Sequence, residues 1–350
     1  MSDEFYIKRC LDLATLASRN VSPNPMVGCV IVADGKIIGE GYHQEYGKAH
    51  AEPNAVKAVF DAYGKEAGKL LKRATAYVNL EPCAHFGKTP PCADLLVKHQ
   101  LNKVVIGNRD PFSGVDGKGI ERLKNAGIEV VSGILDDECH HFNRRFFTRI
   151  KKQRPYIILK WAETANGYFA TKDGHQKWIS GALAKRLAHQ WRSEEDAILV
   201  GKQTAIMDNP QLTSREWPGK NPVRLVIDKN LQVPLSNHIF NNEAKTIIFN
   251  EIKTDVVDNI HYIQMEDMHF YLAQKIAFQL YLMDIQSVII EGGAKILSQF
   301  LTTNLWDEAR IFTSFSSWSD GVPSPNINGN LQETVQVGDD KLSIYLNDIR

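Results

Sequence analysis

Three residue types that can hold a metal ion stand in a suggestive order: His50 in His50-Ala51-Glu52, Cys83 after Pro82, and Cys92 beyond eight intervening residues. One imidazole and two thiolates suit Zn²⁺, and three protein ligands leave the fourth tetrahedral position open to water. A purely structural site would normally use four. An ion held this way makes hydroxide available from water near neutral pH. Glu52, two residues from His50, can take the water's proton and pass it to a leaving amine, and for that it must not be a ligand itself. Taken singly, His-x-Glu is a common helix start and two spaced cysteines are ordinary buried thiols. Their order, on strand–loop–helix starts, carries the metal reading. We therefore expect zinc on His50, Cys83 and Cys92, with Glu52 as the catalytic shuttle. Cys10, Cys29 and Cys139 read as core thiols, and His140-His141 as a solvated helix face.

The elements that must position these groups are legible from periodicity. Residues 4–18 predict an amphipathic helix with Ile7, Leu11, Ala14 and Ala17 on one face. Val27 to Val32, Asp34-Gly35 and Ile37-Ile38 predict a β-hairpin. His50 to Tyr63 reads as a helix, Thr75 to Leu80 as a strand, and Ala93 to His99 as a helix after a Pro-rich loop. A strand at 103–107, a helix at 121–125 and a strand at 129–131 complete an α/β pattern. Lys65 to Arg73, with four basic residues, is expected to lengthen a surface loop. Leu135 to Ile150 reads as one polar helix. The pattern restarts with a strand at Tyr156 to Trp161, so the boundary falls near 147–154, giving domains 1–147 and 154–350. Later strands are expected at 197–200, 223–228, 246–249, 287–290, 309–313 and 342–346.

Bulk properties narrow the function class. A chain of 350 residues suits two domains, and 43% hydrophobic with 23% charged residues is globular composition. Lys plus Arg equals Asp plus Glu, without the basic excess usual in a nucleic-acid binder. The acidic start Met1-Ser2-Asp3-Glu4 does not read as a secretory signal, and no run of eighteen apolar residues predicts a membrane span. Five scattered cysteines are not a disulfide framework, so a cytoplasmic location is expected.

His-x-Glu followed by Pro-Cys is the pattern of zinc deaminases acting on bases, although the gap between the cysteines is wider here. Asn24-Pro25-Met26-Val27-Gly28, His50-Ala51-Glu52 and the run Glu81-Pro82-Cys83-Ala84-His85-Phe86-Gly87-Lys88-Thr89-Pro90-Pro91-Cys92 resemble the deaminase half of the bifunctional riboflavin biosynthesis deaminase–reductases. The resemblance implies a cytidine-deaminase-like three-layer α/β/α domain. Its implied substrate is 2,5-diamino-6-ribosylamino-4(3H)-pyrimidinone 5′-phosphate. Asn24 and Lys88 match substrate-contacting positions: an amide can pair with a pyrimidine edge, and an ammonium can meet a phosphate or the ring.

The second half lacks a Gly-x-Gly-x-x-Gly after a strand, so a Rossmann site is unsupported. Ile289-Ile290-Glu291-Gly292-Gly293-Ala294 instead runs an apolar strand into two glycines and a helix, a start that favours phosphate. Lys160, Asn166-Gly167, Trp178-Ile179-Ser180, Ala197 to Gly201, Thr204, Asp208 to Thr213, Arg215 and Glu291 to Gly293 follow the family's reductase half in order. That half resembles dihydrofolate reductase in fold and uses NADPH. The resemblance puts Trp178, Thr204, Asp208 and the run Gly293, Ala294, Lys295, Ile296, Leu297, Ser298 and Gln299 at the cofactor. It puts Arg192, Leu212, Arg215 and Glu291 at the substrate, where the arginines suit a sugar phosphate.

Three residues depart from the family pattern. Glu163 replaces a small residue beside the cofactor, Gln176 replaces a serine near the substrate, and Lys229 stands where a hydroxyl is often found. Lys229 could pair with the 2′-phosphate of NADPH. The expected partner is a small phosphoribosylated pyrimidine, with no nucleic acid and no membrane, and a homo-oligomer (dimer or tetramer) is expected. Two other readings stay open: a deaminase whose C-terminal half binds without reducing, and an RNA-binding module on a deaminase fold.

Overall fold

The computed structural model describes residues 1–86, 90–172 and 178–347, and the chain divides into two compact units, Met1–Gln153 and Arg154–Arg350. Lys88 and Gln176 lie outside the described residues.

In the first unit, helix α1 (Asp3–Thr15) starts on Ser2, whose hydroxyl accepts from the Phe5 amide, with Asp3 and Glu4 in the first turn where the helix dipole favours acids. Strands β1 (Gly28–Ala33) and β2 (Lys36–Tyr42) form the expected hairpin. Helix α2 (Ala51–Tyr63), helix α3 (Ala67–Leu71), strand β3 (Thr75–Leu80), helix α4 (Cys92–Lys98) and strand β4 (Lys103–Asn108) follow. Helix α5 (Lys118–Asn125), strand β5 (Glu129–Ser132) and helices α6 (Asp136–Phe142) and α7 (Arg144–Lys152) complete the unit. The sheet order is β2-β1-β3-β4-β5, antiparallel at β2-β1-β3 and parallel at β3-β4-β5.

Strand β1 is buried throughout because both faces are covered. Cys29, Ile31 and Ala33 pack with Ala55 and Val59 of α2, Leu96 of α4 and Leu123 of α5. Val30 and Val32 pack on the other face with Ile7 and Cys10 of α1 and Cys139 of α6. This is the three-layer α/β/α arrangement expected. Helix α2 lies unusually close on β2: a Cβ on Gly41 would stand 2.3 Å from the Ala55 amide nitrogen. Only glycine permits that approach, and it sets the height at which α2 presents His50 and Glu52.

Two sequence expectations are corrected here. The basic segment 65–73 is no simple loop extension: it contains α3, whose Ala67 and Leu71 are fully buried in the core under α2 and α4. The polar stretch 135–150 is two helices, broken at Asn143. That side chain leaves the helical pattern to bond the backbone of Met26, accepting from its amide (2.9 Å) and donating to its carbonyl (3.0 Å). A long-range bond to a distant loop overrides the local helical preference.

The second unit begins with strands β6 (Tyr156–Glu163) and β7 (Tyr168–Ala170), helix α8 (Ala182–Glu194), strand β8 (Ala197–Gly201), helix α9 (Lys202–Met207) and strand β9 (Val223–Ile227). Strands β10 (Thr246–Asn250), β11 (Asp255–Val257) and β12 (Ile260–Gln264), helix α10 (Leu272–Leu282), strand β13 (Ser287–Ile290) and helix α11 (Ala294–Thr302) follow. Strands β14 (Glu308–Thr313), β15 (Val322–Pro323), β16 (Asn330–Val337) and β17 (Asp340–Leu346) close it. Among the described residues the main sheet has the order β11-β12-β10-β9-β8-β13-β6-β14-β17-β16, with the seven strands from β12 to β14 parallel. Helices α10 and α11 cover one face through Ile276, Leu280, Leu297 and Phe300. Helices α8 and α9 cover the other through Ala188, Trp191 and Ala205. The C-terminal ends of the parallel strands therefore share one edge, where an open α/β sheet binds its ligands.

Candidate active sites

In the first unit the metal-ligating side chains converge from three elements. His50 is the residue before α2, Cys83 follows the C-terminal end of β3, and Cys92 is the first residue of α4. The His50 Nδ1 lies 3.7 Å from Cys83 Sγ and 3.4 Å from Cys92 Sγ, and the three donor atoms fall within 4.8 Å of one another. Tetrahedral zinc, with bonds of about 2.3 Å to sulfur and about 2.0 Å to nitrogen, places neighbouring ligands roughly 3.5–3.8 Å apart. The donor set and its spacing therefore fit the ion. The Cys92 amide donates to Cys83 Sγ (3.2 Å) and the Ala93 amide to the Cys83 carbonyl (3.2 Å), so the start of α4 pins the first cysteine. The hydrogen bond from Cys92, together with His50, lowers the Cys83 thiol to about 4, whereas Cys92, the donor, is pushed up. The pair thus holds a thiolate, the form zinc binds.

Glu52 sits in the first turn of α2 and is only 3% exposed. Burial, and then the Cys83 charge, raise its carboxyl above the ordinary value. Asn24 lies nearby through a residue the sequence did not single out, His43. The His43 Nδ1 is 3.0 Å from the Ala49 carbonyl and its Nε2 is 3.1 Å from the Asn24 amide nitrogen. These partners fix the tautomer: Nδ1–H donates to the carbonyl and Nε2 accepts from Asn24. Burial lowers the His43 pKa, which keeps the ring neutral, and it meets the His50 ring edge-on at 5.2 Å.

Two acids also escaped sequence reasoning. Glu81 is buried and accepts from the amides of Asp110, Gly117, Gly119 and Ile120 (3.0–3.3 Å), tying the loop after β4 to the cysteine run. Asp110 is buried beside it, and its carboxyl is pushed up to about 7, first by burial and then by Glu81 and Cys83.

In the second unit a cavity of about 290 Å³ opens at the C-terminal edge of the sheet, lined by Trp178, Arg192, Asp208, Leu212 and Arg215. It also takes in Lys160 of β6. Arg192 makes a bidentate pair with Glu291 (2.7 and 3.3 Å). Burial alone would raise the Glu291 carboxyl, but Arg192 and Lys160 hold it down at about 2. Burial lowers Lys160, opposed by Glu291. Trp178 is 67% exposed, with the Lys185 ammonium over its ring at 5.6 Å. His189, another residue the sequence reading passed over, is lowered to about 4 by burial and by Arg192 and Arg215, so it is neutral in the cavity wall.

The glycine turn after β13 is built for close approach. Gly293 has φ +70° and precedes α11, and among the described residues no side chain caps the helix's first turn. Thr204 lies opposite, its hydroxyl 3.6 Å from where a Gly293 Cβ would be. These features suit a dinucleotide phosphate. Within the run from Gly293 to Gln299, Ile296 and Leu297 point into the core, so they can serve a cofactor only through their backbone. Glu163 is engaged by the Trp161 indole (2.9 Å) and Thr313 (3.5 Å). Lys229 follows β9 and pairs with Glu251 (3.0 Å) and His269 (2.5 Å).

Comparison with known proteins covers both units. The family model for the cytidine and deoxycytidylate deaminase zinc-binding region matches residues 1–108, and that for the RibD C-terminal domain matches residues 155–314. The riboflavin biosynthesis protein RibD of Aquifex aeolicus is 38% identical over 340 residues, spanning 96% of this chain and 93% of its own. That of Synechocystis is 35% identical over 336 residues, spanning 95% and 89%. A diaminohydroxyphosphoribosylaminopyrimidine deaminase/5-amino-6-(5-phosphoribosylamino)uracil reductase from Thermotoga maritima superposes with a TM-score of 0.88 at 34% identity, covering 98% of each chain. Acinetobacter baumannii RibD gives 0.88 at 31% identity, again over 98% of each. These matches do not favour a C-terminal half that binds without reducing. The chain belongs to the RibD family and is a bifunctional enzyme of riboflavin biosynthesis, a zinc-dependent deaminase joined to an NADPH-dependent reductase.

Proposed function

We propose that residues 1–147 deaminate 2,5-diamino-6-ribosylamino-4(3H)-pyrimidinone 5′-phosphate and that residues 154–350 then reduce its ribosyl chain to ribityl. The observation that carries this reading is the convergence of His50, Cys83 and Cys92 beside buried Glu52. In it, the three ligands hold zinc, Glu52 moves the proton from the attacking water to the departing amine, and Asn24, oriented by His43, reads the pyrimidine edge. Lys88 is assigned to the same substrate. When bound in the second half, NADPH would supply the hydride for C1′ of the sugar. Arg192 is engaged by Glu291, so Arg215, exposed at the cavity, is the guanidinium assigned to the phosphate. Asp208, Thr204, Trp178 and the Gly293 turn are assigned to the cofactor.

The test is a two-step assay on one preparation, with ammonia release and NADPH consumption followed together. Wild type should do both in sequence. Cys83→Ser should lose zinc and ammonia release, yet reduce the deaminated intermediate when that is supplied. Ammonia release surviving in the variant would overturn the ligand assignment.

Lys229 is assigned to the 2′-phosphate of NADPH, because it lies two residues beyond the C-terminal end of β9, on the same sheet edge as the Gly293 turn. Lys229→Ala should weaken NADPH by about tenfold, as for loss of a charged hydrogen bond, and NADH hardly at all. An equal loss for both nucleotides would sink the assignment.

A cytoplasmic enzyme is in keeping with five free cysteines, two of them in the metal site, and among the described residues no helix is long and apolar enough to cross a membrane. A homo-oligomer is in keeping with the outermost strand β16, which among the described residues pairs only with β17 and leaves Leu331 and Val335 exposed.

A further inference from the structure

We propose that Arg224 is a positioning residue of the reductase half, a buried anchor that holds the Asp208–Thr213 loop and the His238 turn together as one rigid wall of the cavity. The proposal rests on the reading of that cavity as the reductase site. Arg224 lies in β9, is 0% exposed and does not line the cavity. Its Nη1 donates to the His238 carbonyl (3.1 Å), the Asn241 side chain (2.7 Å) and the Gln211 carbonyl (3.5 Å). Its Nη2 donates to the carbonyls of Asn241 (2.6 Å) and Ala244 (2.5 Å). Every one of these acceptors is neutral. Among the described residues no carboxylate is bonded to it, and Glu243 acts on it only through space; a guanidinium buried in this way is costly, and what it fixes must offset that cost. Burial lowers its pKa only to about 10, so the charge persists at neutral pH.

What it fixes is a strained segment. Asn209 (φ +39°) and Leu212 (φ +53°) both occupy the left-handed region that favours glycine, and both belong to the cavity wall. Such backbone persists only where the surroundings over-determine it, and it concentrates at ligand sites. The determinants are visible on both sides of the loop. At its far end the Thr213 carbonyl lies 2.8 Å from His189 Nδ1 and accepts from Arg192 (3.3 Å). In its middle, Arg224 takes the Gln211 carbonyl. At its start, the Asn209 side chain accepts from the His238 amide (2.8 Å), and the carbonyl of that same His238 is bound by Arg224. Gln211 and His238 both line the cavity, and the guanidinium bridges them from behind. A lysine cannot reproduce this, because its donors radiate from one point whereas the planar fork spans two groups of oxygens.

Arg224→Lys, Arg224→Gln and the milder Asn241→Ala test the idea, the last removing one acceptor only. We expect the arginine variants to raise KM for NADPH and for the deaminated substrate by about tenfold, as for slight misplacement of a binding wall, with deamination unchanged. Asn241→Ala should move both constants the same way by a smaller factor. Equilibrium NADPH binding, read from quenching of tryptophan fluorescence, should weaken in parallel. A purely structural anchor predicts another pattern: reductase Vmax falls with the folded fraction, while KM and the binding constant stay at wild-type values. That result would overturn the proposal. Should neither arginine variant fold, Asn241→Ala decides alone by the same criterion. Asp208→Ala and Arg192→Ala separate this failure from a failure of the site reading. If they too leave both KM values unchanged, the cavity is not the reductase site; if they raise KM and the Arg224 variants do not, only the anchor is wrong.

Discussion

Glu52→Gln is expected to retain one zinc per chain and to deaminate about 10³-fold more slowly, the scale of losing an essential proton shuttle. The substitution keeps size and polarity in a site where Glu52 is only 3% exposed, so the fold has little reason to change. It removes only the ability to accept a proton and return it. The loss corresponds to roughly 4 kcal/mol of transition-state stabilisation. Zinc content by metal analysis separates the two roles a carboxylate could have here. Zinc lost along with activity would make Glu52 a ligand and overturn the three-ligand site. Zinc retained with near wild-type ammonia release would mean that another group carries the proton. Reduction of the deaminated intermediate should be untouched, which gives an internal control for folding and concentration.

The parts of the molecule legible in the sequence are those whose signal is local. The inner strands are buried along most of their length, so Ser287–Ile290 and Thr75–Leu80 appear as short, mainly apolar runs, the second interrupted by Asn79, with the bounds the structure gives. Strand β16 has no such signal: it is exposed along nearly its whole length, and the sequence Asn-Leu-Gln-Glu-Thr-Val-Gln-Val reads as a polar connection. The zinc ligands sit at the starts of α2 and α4 and just after β3, and each start is marked by neighbouring residues. His43 and Glu81 act through partners that only folding supplies, Asn24 for the first and Gly117 to Ile120 for the second. Nothing in their immediate neighbourhoods announces that. Lys160 did leave a trace, a lone ammonium inside the strand Tyr-Ile-Ile-Leu-Lys-Trp-Ala-Glu whose first four residues are all buried. A charge kept in such a run is costly unless paired, and its partner Glu291 lies far along the chain.

Glu291→Gln is expected to cut reductase kcat/KM by about 10²-fold, the scale of a misplaced binding group, while leaving deamination intact. Glu291 faces two cavity cations: Arg192 is bonded to it at 2.7 Å and Lys160 acts on it through space. An amide in its place leaves both positive charges without a counterion. Arg192 then loses the bidentate contact that orients it. The pH dependence of stability gives a second readout. The Glu291 carboxyl stands at about 2 in the folded chain against an ordinary value of 4.5. A carboxyl depressed on folding stabilises the native state at pH above 4.5, and that contribution is lost as pH falls from 4.5 through 2. The difference between the two values is worth about 3 kcal/mol, an order-of-magnitude figure. Wild type should therefore lose stability of the second unit more steeply than Glu291→Gln between pH 5 and about pH 3, the upper part of the window set by that depressed carboxyl. The variant should start lower at neutral pH and converge with wild type in acid. Parallel stability curves for the two proteins, or an unchanged reductase rate in the variant, would show that the Arg192–Glu291–Lys160 cluster does not organise the site.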